Sequence, residues 1–257
     1  MPTIGQLNQM LEVYGFPSQA FWRAFELEVL STVKLERPIL ELGCSNGAFT
    51  KAVYGTVEAG IDINPRAVGI ARESGVYQNV RVQDARELED NPEFRSVFAN
   101  SVLEHIPDLN SVLAGCYRAL QPGGRLVATV PLADINSHLL FSSKLWVRYR
   151  QDRLAHVNLW TMDQWHDVLN AAGFTMERAR RYLSPRQIRL WDSIDGIAVI
   201  GSRRINIGSL SYKATRLFPA FLRKLTNTLC CSALRSYLGE EGSEDGCCAL
   251  IIAVKWP

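Results

Sequence analysis

The stretch Ile39-Leu-Glu-Leu-Gly-Cys-Ser-Asn-Gly-Ala-Phe-Thr50 decides the fold. Four residues suited to a buried strand run into Gly43, a second glycine follows at Gly47, and a helical pattern starts behind it. That order describes a strand, a tight turn and a helix N-terminus. Glycines there let backbone approach a ligand with no Cβ in the way, and the first helical turn offers free N–H groups. The spacing is G-x-x-x-G rather than the dinucleotide G-x-G-x-x-G, so alone it fits either a ligand cradle or an ordinary strand-to-helix turn.

From Pro38 onward, short apolar runs alternate with helical segments, the pattern of a parallel sheet covered on both faces. Strands are expected near 38–42, 57–62, 80–83, 96–99 and 124–130, with helices near 46–54, 65–73, 85–90 and 108–120. Pro122-Gly123-Gly124 stops a helix, and a β-branched run follows at once. Thr161 and Gln164 stand in capping-box positions for a helix that ends at Gly173. Residues 174–183 and 248–256 read as two late strands, too far apart for a hairpin. Upstream, residues 5–33 suggest two amphipathic helices joined at Pro17, with Ser18 as a cap for the second.

Two acids stand in register with the glycine loop. Asp62 closes the second apolar run, about twenty residues on, where a carboxylate can accept the hydroxyls of a ribose. Asp84 closes the third, so carboxylates at successive strand C-termini line the crevice where open α/β sheets bind ligands.

With these residues in place, the chain resembles the class I S-adenosylmethionine-dependent methyltransferases, and within them a small-molecule, type 11-like branch. The resemblance is carried by Glu41-Leu-Gly-Cys-Ser-Asn-Gly47, Gly60-Ile-Asp62, Gln83-Asp84-Ala85, Asn100-Ser-Val-Leu-Glu-His105 and Leu120-Gln-Pro-Gly-Gly124, and covers 36–131 well and 156–183 more loosely. It implies an α/β, Rossmann-like seven-stranded mixed sheet of order 3-2-1-4-5-7-6 with helices on both faces. It further implies S-adenosylmethionine as cofactor: Glu41 supporting its methionine end, Gly43, Cys44, Ser45 and Gly47 wrapping it, Asp62 with Ile63 at the ribose, Asp84 and Ala85 at the adenine, and Asn100 with Ser101 near the methionine ammonium. Family members often carry glycine where this chain has Ser45, so backbone approach is less close there, or a hydroxyl is added.

Composition sets the remaining limits. Hydrophobic residues at 47% and charged ones at 21% exclude a disordered or fibrous chain. A net charge of +2 is too small to imply nucleic acid or membrane by itself. The six cysteines are too sparse for a disulfide scaffold and read as reduced thiols. No basic-then-apolar leader opens the chain, and no run approaches the ~18 apolar residues of a spanning helix, so a cytoplasmic location is expected. The expected organisation is an N-terminal helical lid at 1–35, a cofactor-binding core at 36–183, a helical insertion or cap at 184–246 and a last core strand at 247–257.

A sulfonium methyl is already electrophilic, so methyl transfer needs a nucleophile held in line and water kept out more than it needs acid–base groups. A hydroxyl acceptor gains from a base, and a carboxylate acceptor needs none. His105 and His156 are the catalytic candidates because a neutral imidazole accepts a proton near neutrality; contact with cofactor or substrate and loop anchoring are the alternatives. Tyr149, His156 and Trp160 lie on the long connection after the fifth strand, where the family builds its acceptor pocket, with Arg150 a weaker candidate. His138 and His166 read as surface or helix-packing residues, and the four histidines have no spacing that suggests a metal.

The insertion has no Asp or Glu from Gly196 to Gly239, yet carries Arg203, Arg204, Lys213, Arg216, Arg223, Lys224 and Arg235 among leucines at helical spacing. It reads either as a cap with a basic solvent face or as a surface for an anionic membrane, with Pro219 against one long helix. The expected activity is methyl transfer to a small or amphiphilic organic acceptor, most readily at oxygen. A lipid-linked acceptor at the membrane surface and a non-catalytic cofactor-binding subunit are the alternatives. No nucleic-acid partner is expected, since the Asn/Asp-Pro-Pro-aromatic motif of base-methylating enzymes is replaced by Asn100-Ser101-Val102-Leu103.

Overall fold

A computed structural model describes residues 1–256 apart from 90, 142, 201–205, 208, 209, 211, 212, 214–216, 218, 219 and 240–243. The apolar runs become strands β1 (Ile39–Leu42), β2 (Val57–Asp62), β3 (Tyr77–Val82), β4 (Phe94–Asn100), β5 (Leu120–Pro131), β6 (Phe174–Tyr182) and β7 (Cys248–Lys255). They form one seven-stranded sheet of order β3-β2-β1-β4-β5-β7-β6. Pairing is parallel from β3 through β5, and β7 enters antiparallel to β5. Both the strand content and the order are those expected from the sequence.

The chain divides into two compact units. The sheet unit comprises 31–133, 155–180 and 248–257. On one side of its sheet, α5 (Leu109–Ala119) and α7 (Met162–Ala171) bury Val112, Leu113, Cys116, Trp165 and Leu169 against Leu40, Val97, Leu126 and Ile251. A smaller cluster joins α4 (Pro65–Glu73) to the sheet through Val68, Ala71, Val80 and Cys44. The caps follow the sequence: Asn64 accepts from the backbone N–H groups of Arg66 and Ala67, and Thr161 and Gln164 form the capping box. The segment 85–90, expected as a helix, is only a three-residue 3-10 turn at Ala85–Glu87. Asp84 caps it, and Leu88 leaves in an extended conformation to bury its side chain beside α5.

The helical unit comprises 1–30, 134–154 and 181–247. It holds α1 (Ile4–Tyr14), most of α2 (Pro17–Ser31), α6 (Lys144–Leu154), α8 (Pro185–Ala198) and α9 (Ala220–Leu238). Its centre is polar. The fully buried Arg150 meets Asp192 at 2.6 Å and Asp195 at 2.7 Å, and Asp192 also accepts from the Trp146 indole N–H and the Leu140 backbone, each at 2.9 Å. Those two N–H groups offset part of the desolvation cost of the buried ion pair. Arg150 is thus a structural residue rather than an acceptor contact. Ser18 does not cap α2 either: it lies inside the helix and its hydroxyl donates to Asp195 at 2.7 Å. Among the described residues, no helix is long and apolar enough to cross a membrane. Arg203, Arg204, Arg216, Phe218 and Pro219 of the basic segment lie outside the described residues.

Two strands and a helix of the sheet unit are tied at one buried carboxylate. Glu41 on β1 takes the Thr50 hydroxyl at 2.6 Å and the Tyr77 hydroxyl at 2.7 Å. Tyr77 reaches it from β3 across β2, where Gly60 pairs with Glu41; a Cβ on Gly60 would stand 2.7 Å from the Tyr77 ring. Burial pushes the Glu41 carboxyl up to about 7, the Asp62 charge adds to the rise, and the two hydroxyls oppose it. The folded protein therefore holds this proton more tightly than the unfolded chain between about pH 4.5 and about pH 7. Its stabilisation is full at the acid end and is lost as pH rises through that window, a difference of about 3 kcal/mol at 1.36 kcal/mol per unit. Denaturation of Glu41→Gln should lack this component of the decline, whereas a variant whose stability falls with pH as steeply as wild type would reject the assignment.

Candidate functional site

The C-terminal ends of β1, β2 and β4 bring most of the expected cofactor residues to one edge of the sheet unit. The turn after β1 runs through Gly43, with φ of +64°, and Ser45, a non-glycine residue at φ +47°. The place a Cβ would take at Gly43 is filled by Val102, at 2.5 Å, so this glycine is required by packing between the turns after β1 and β4. The sequence leaves a ligand cradle and an ordinary strand-to-helix turn both open here, and neither reading names Val102. Buried Cys44 donates its N–H to Ile61, and burial pushes its thiol up to about 12, which removes it as a nucleophile.

Asp62 organises the mouth of the crevice. One carboxylate oxygen accepts from the Ser45 N–H and the other from the Asn64 N–H, both at 2.8 Å. Each oxygen keeps a further lone pair, so the group can accept hydroxyls as well. Ile63 beside it is 72% exposed, a flat apolar surface next to a carboxylate. Asp84 is differently engaged: it receives the Arg86 backbone N–H at 2.9 Å and its guanidinium at 2.6 Å, which hold its carboxyl below the usual range. Ala85 starts the short turn that Asp84 caps.

At the end of β4, Asn100 accepts the Thr129 hydroxyl at 2.7 Å and the Ser101 N–H donates to the Thr129 carbonyl at 3.1 Å. Ser101 is the second serine with positive φ, at +50°. Non-glycine residues in this region carry strain, and two of them flank one crevice.

Past Ser101, a 3-10 turn at Leu103–His105 meets the 155–160 connection. The Glu104 carbonyl accepts from Val157 and Asn158, and the Asn158 amide donates to the carbonyls of Leu103 at 2.8 Å and Ile106 at 2.7 Å. This staple sets the His105 and His156 rings 5.2 Å apart. Sequence reasoning singled out both histidines but missed Asn158, whose buried amide is legible only once its carbonyl partners are known; Thr50 and Tyr77 were missed likewise. Trp160 lies against Trp165 of α7, with ring centroids 4.9 Å apart, and bridges to Leu132. Tyr149 belongs to the helical unit, where it stacks beside Trp146. His166 is exposed on α7 and His138 ends a 3-10 segment of the helical unit.

The residues present suit the expected cofactor: a strained turn over a helix N-terminus, a carboxylate with spare lone pairs and an exposed apolar neighbour form a donor and acceptor set for a nucleoside joined to an amino acid.

Comparison with known proteins gives the same answer. A family model described as a methyltransferase domain matches residues 18–179. A ubiquinone biosynthesis O-methyltransferase of Xanthomonas oryzae is 34% identical over 96 residues, 34% of this chain and 40% of that protein, so the chain spans well under half of it. The Pseudomonas putida protein of the same description is 29% identical over 158 residues, 54% of this chain and 68% of that protein. A solved S-adenosylmethionine-dependent methyltransferase of Thermotoga maritima shares the fold at 16% identity, with a TM-score of 0.57 over 97% of this chain and 99% of that one. With the family model covering most of the sheet unit and the strand order expected of it, this chain belongs to the class I S-adenosylmethionine-dependent methyltransferases.

Proposed function

We propose that this enzyme transfers the methyl group to oxygen on a small or amphiphilic organic acceptor. The observation that carries the reading is the pair of imidazoles fixed beyond the β4 turn, His105 and His156, on a chain whose curated relatives are described as O-methyltransferases. When bound, S-adenosylmethionine supplies an electrophilic sulfonium methyl. In this reading Asp62 accepts the ribose hydroxyls while continuing to hold the Ser45 and Asn64 N–H groups, Ile63 covers the nucleoside, and Asp84 with Ala85 bounds the adenine. Glu41, Gly43, Cys44, Ser45 and Gly47 shape the turn around the methionine end, and the Asn100–Ser101 backbone meets its ammonium. His105 or His156 takes the acceptor's hydroxyl proton, and its partner imidazole orients the oxygen. Trp160, on the same connection as His156, stands as an acceptor contact.

A second reading, a lipid-linked acceptor at a membrane surface, is favoured by the helical unit. On α9, Phe221 is 69% and Leu229 is 63% exposed, and Arg223 and Lys224 are exposed on the same helix. Basic residues interleaved with exposed apolar ones suit an anionic interface.

Three outcomes test these assignments. A panel of phenolic, carboxylic and amine acceptors should yield S-adenosylhomocysteine fastest with phenols, and preference for amines would refute oxygen transfer. Asp62→Ala should weaken S-adenosylmethionine binding at least ~10-fold, since a hydrogen bond to a charged group is worth about 1.5–3 kcal/mol; unchanged calorimetric affinity would reject the ribose role. Arg223→Ala/Lys224→Ala should lose a salt-sensitive flotation with anionic liposomes, and a wild-type protein indifferent to liposomes would remove the membrane reading.

A further inference from the structure

The imidazoles of His105 and His156 converge with a third group, the carboxylate of Glu104. One ligand atom from each of the three lies within 4.8 Å of the others. Glu104 is 1% exposed, whereas the His105 side chain is 40% exposed and His156 is half-buried, so the set is closed on the carboxylate side and open on the imidazole side. Two contacts make it a built arrangement. The Nδ1 of His105 is 3.1 Å from the Ala155 carbonyl, an oxygen that can only accept, so Nδ1 carries the proton and donates it there. The neutral ring then keeps its lone pair on Nε2, which faces Glu104 Oε1 at 3.7 Å. The Asn158 staple to Leu103 and Ile106 fixes the loop that delivers His156.

We infer that Glu104, His105 and His156 form a binding site for a first-row divalent cation. Two imidazoles and one carboxylate are a ligand set suited to zinc and its neighbours rather than to an all-oxygen ion such as calcium. Three protein ligands leave a coordination position open, as metal sites that meet a substrate do. An imidazole whose other nitrogen donates to a backbone carbonyl is the arrangement that orients a ligating histidine. A four-coordinate ion about 2.0–2.1 Å from each ligand atom brings them to roughly 3.3 Å from one another. Rotation of two partly exposed imidazoles closes that distance without moving the buried carboxylate. The histidine spacing in the sequence hides the site because fifty residues separate the two rings and contacts between the 103–106 turn and the 155–158 loop bring them together. On the proposed oxygen-directed reading, an ion here would replace the free imidazole base: the open position would receive the acceptor oxygen and favour loss of its proton; binding of the ion itself does not depend on that reading.

Calorimetric titration of the full chain with Zn2+, and with Co2+ followed by its visible absorption, tests the site. One equivalent should bind, and His105→Ala and His156→Ala should each weaken it at least ~10-fold, as should Asn158→Ala through loss of ligand orientation. His156→Gln, with an unchanged circular dichroism spectrum, guards against loss of fold in the alanine variants. Absence of a one-equivalent site in wild type, or wild-type affinity in both histidine variants, would overturn the inference. The titration uses no acceptor, so its failure would leave the methyltransferase assignment standing.

Discussion

The buried carboxylate of Glu41 is the constraint on which the cofactor edge depends. It sits on β1, and its hydroxyl donors come from α3 (Ala48–Val53) and β3, so a strand, a helix and the next strand but one share one polar knot under the glycine turn. A carboxyl left without those hydroxyls would carry its full desolvation cost in the middle of the sheet. Satisfying it requires the Tyr77 ring to pass over β2, and that path exists because residue 60 has no side chain. The position of the turn is therefore set from below by polar contacts and from the side by Val102, before any ligand acts on it.

The two units solve the problem of buried polarity differently. The sheet unit hides little charge beyond Glu41 and Glu104 and relies on apolar layers against its strands. The helical unit is organised around Arg150, Asp192 and Asp195, with Trp146 and the Leu140 backbone donating to Asp192 and Trp191 under the guanidinium at 5.1 Å. Such a network makes the helical unit sensitive to the loss of any one member, because removal of one partner leaves an uncompensated buried charge.

The sheet was legible in the sequence because its signals are local. Apolar runs, the glycines at 43 and 47 and the acids closing β2 and β3 can each be read within a few residues, and the strand order follows from the resemblance they support. What stayed hidden depends on pairings over long separations. Tyr77 looks like a polar residue ahead of a strand until β2 and β1 lie beside it. Ser18 has the composition of a cap, yet Pro17 already occupies the first helical turn and the serine turns inward to Asp195, 177 residues away. Arg150 reads as a weaker acceptor-pocket candidate for the same reason: its two aspartates are more than forty positions distant. The helix expected at 85–90 was lost to a competing local demand, the burial of Leu88.

The serines at 45 and 101 have a consequence for what this crevice can present to a ligand. Both occupy a left-handed backbone region that costs an L-residue roughly 1–2 kcal/mol and glycine almost nothing. At position 45 the backbone is shaped as glycine would shape it, so the turn keeps a glycine-like path while its rim gains a hydroxyl. The strain held in the backbone is thus matched by a polar group that glycine could not present at the crevice.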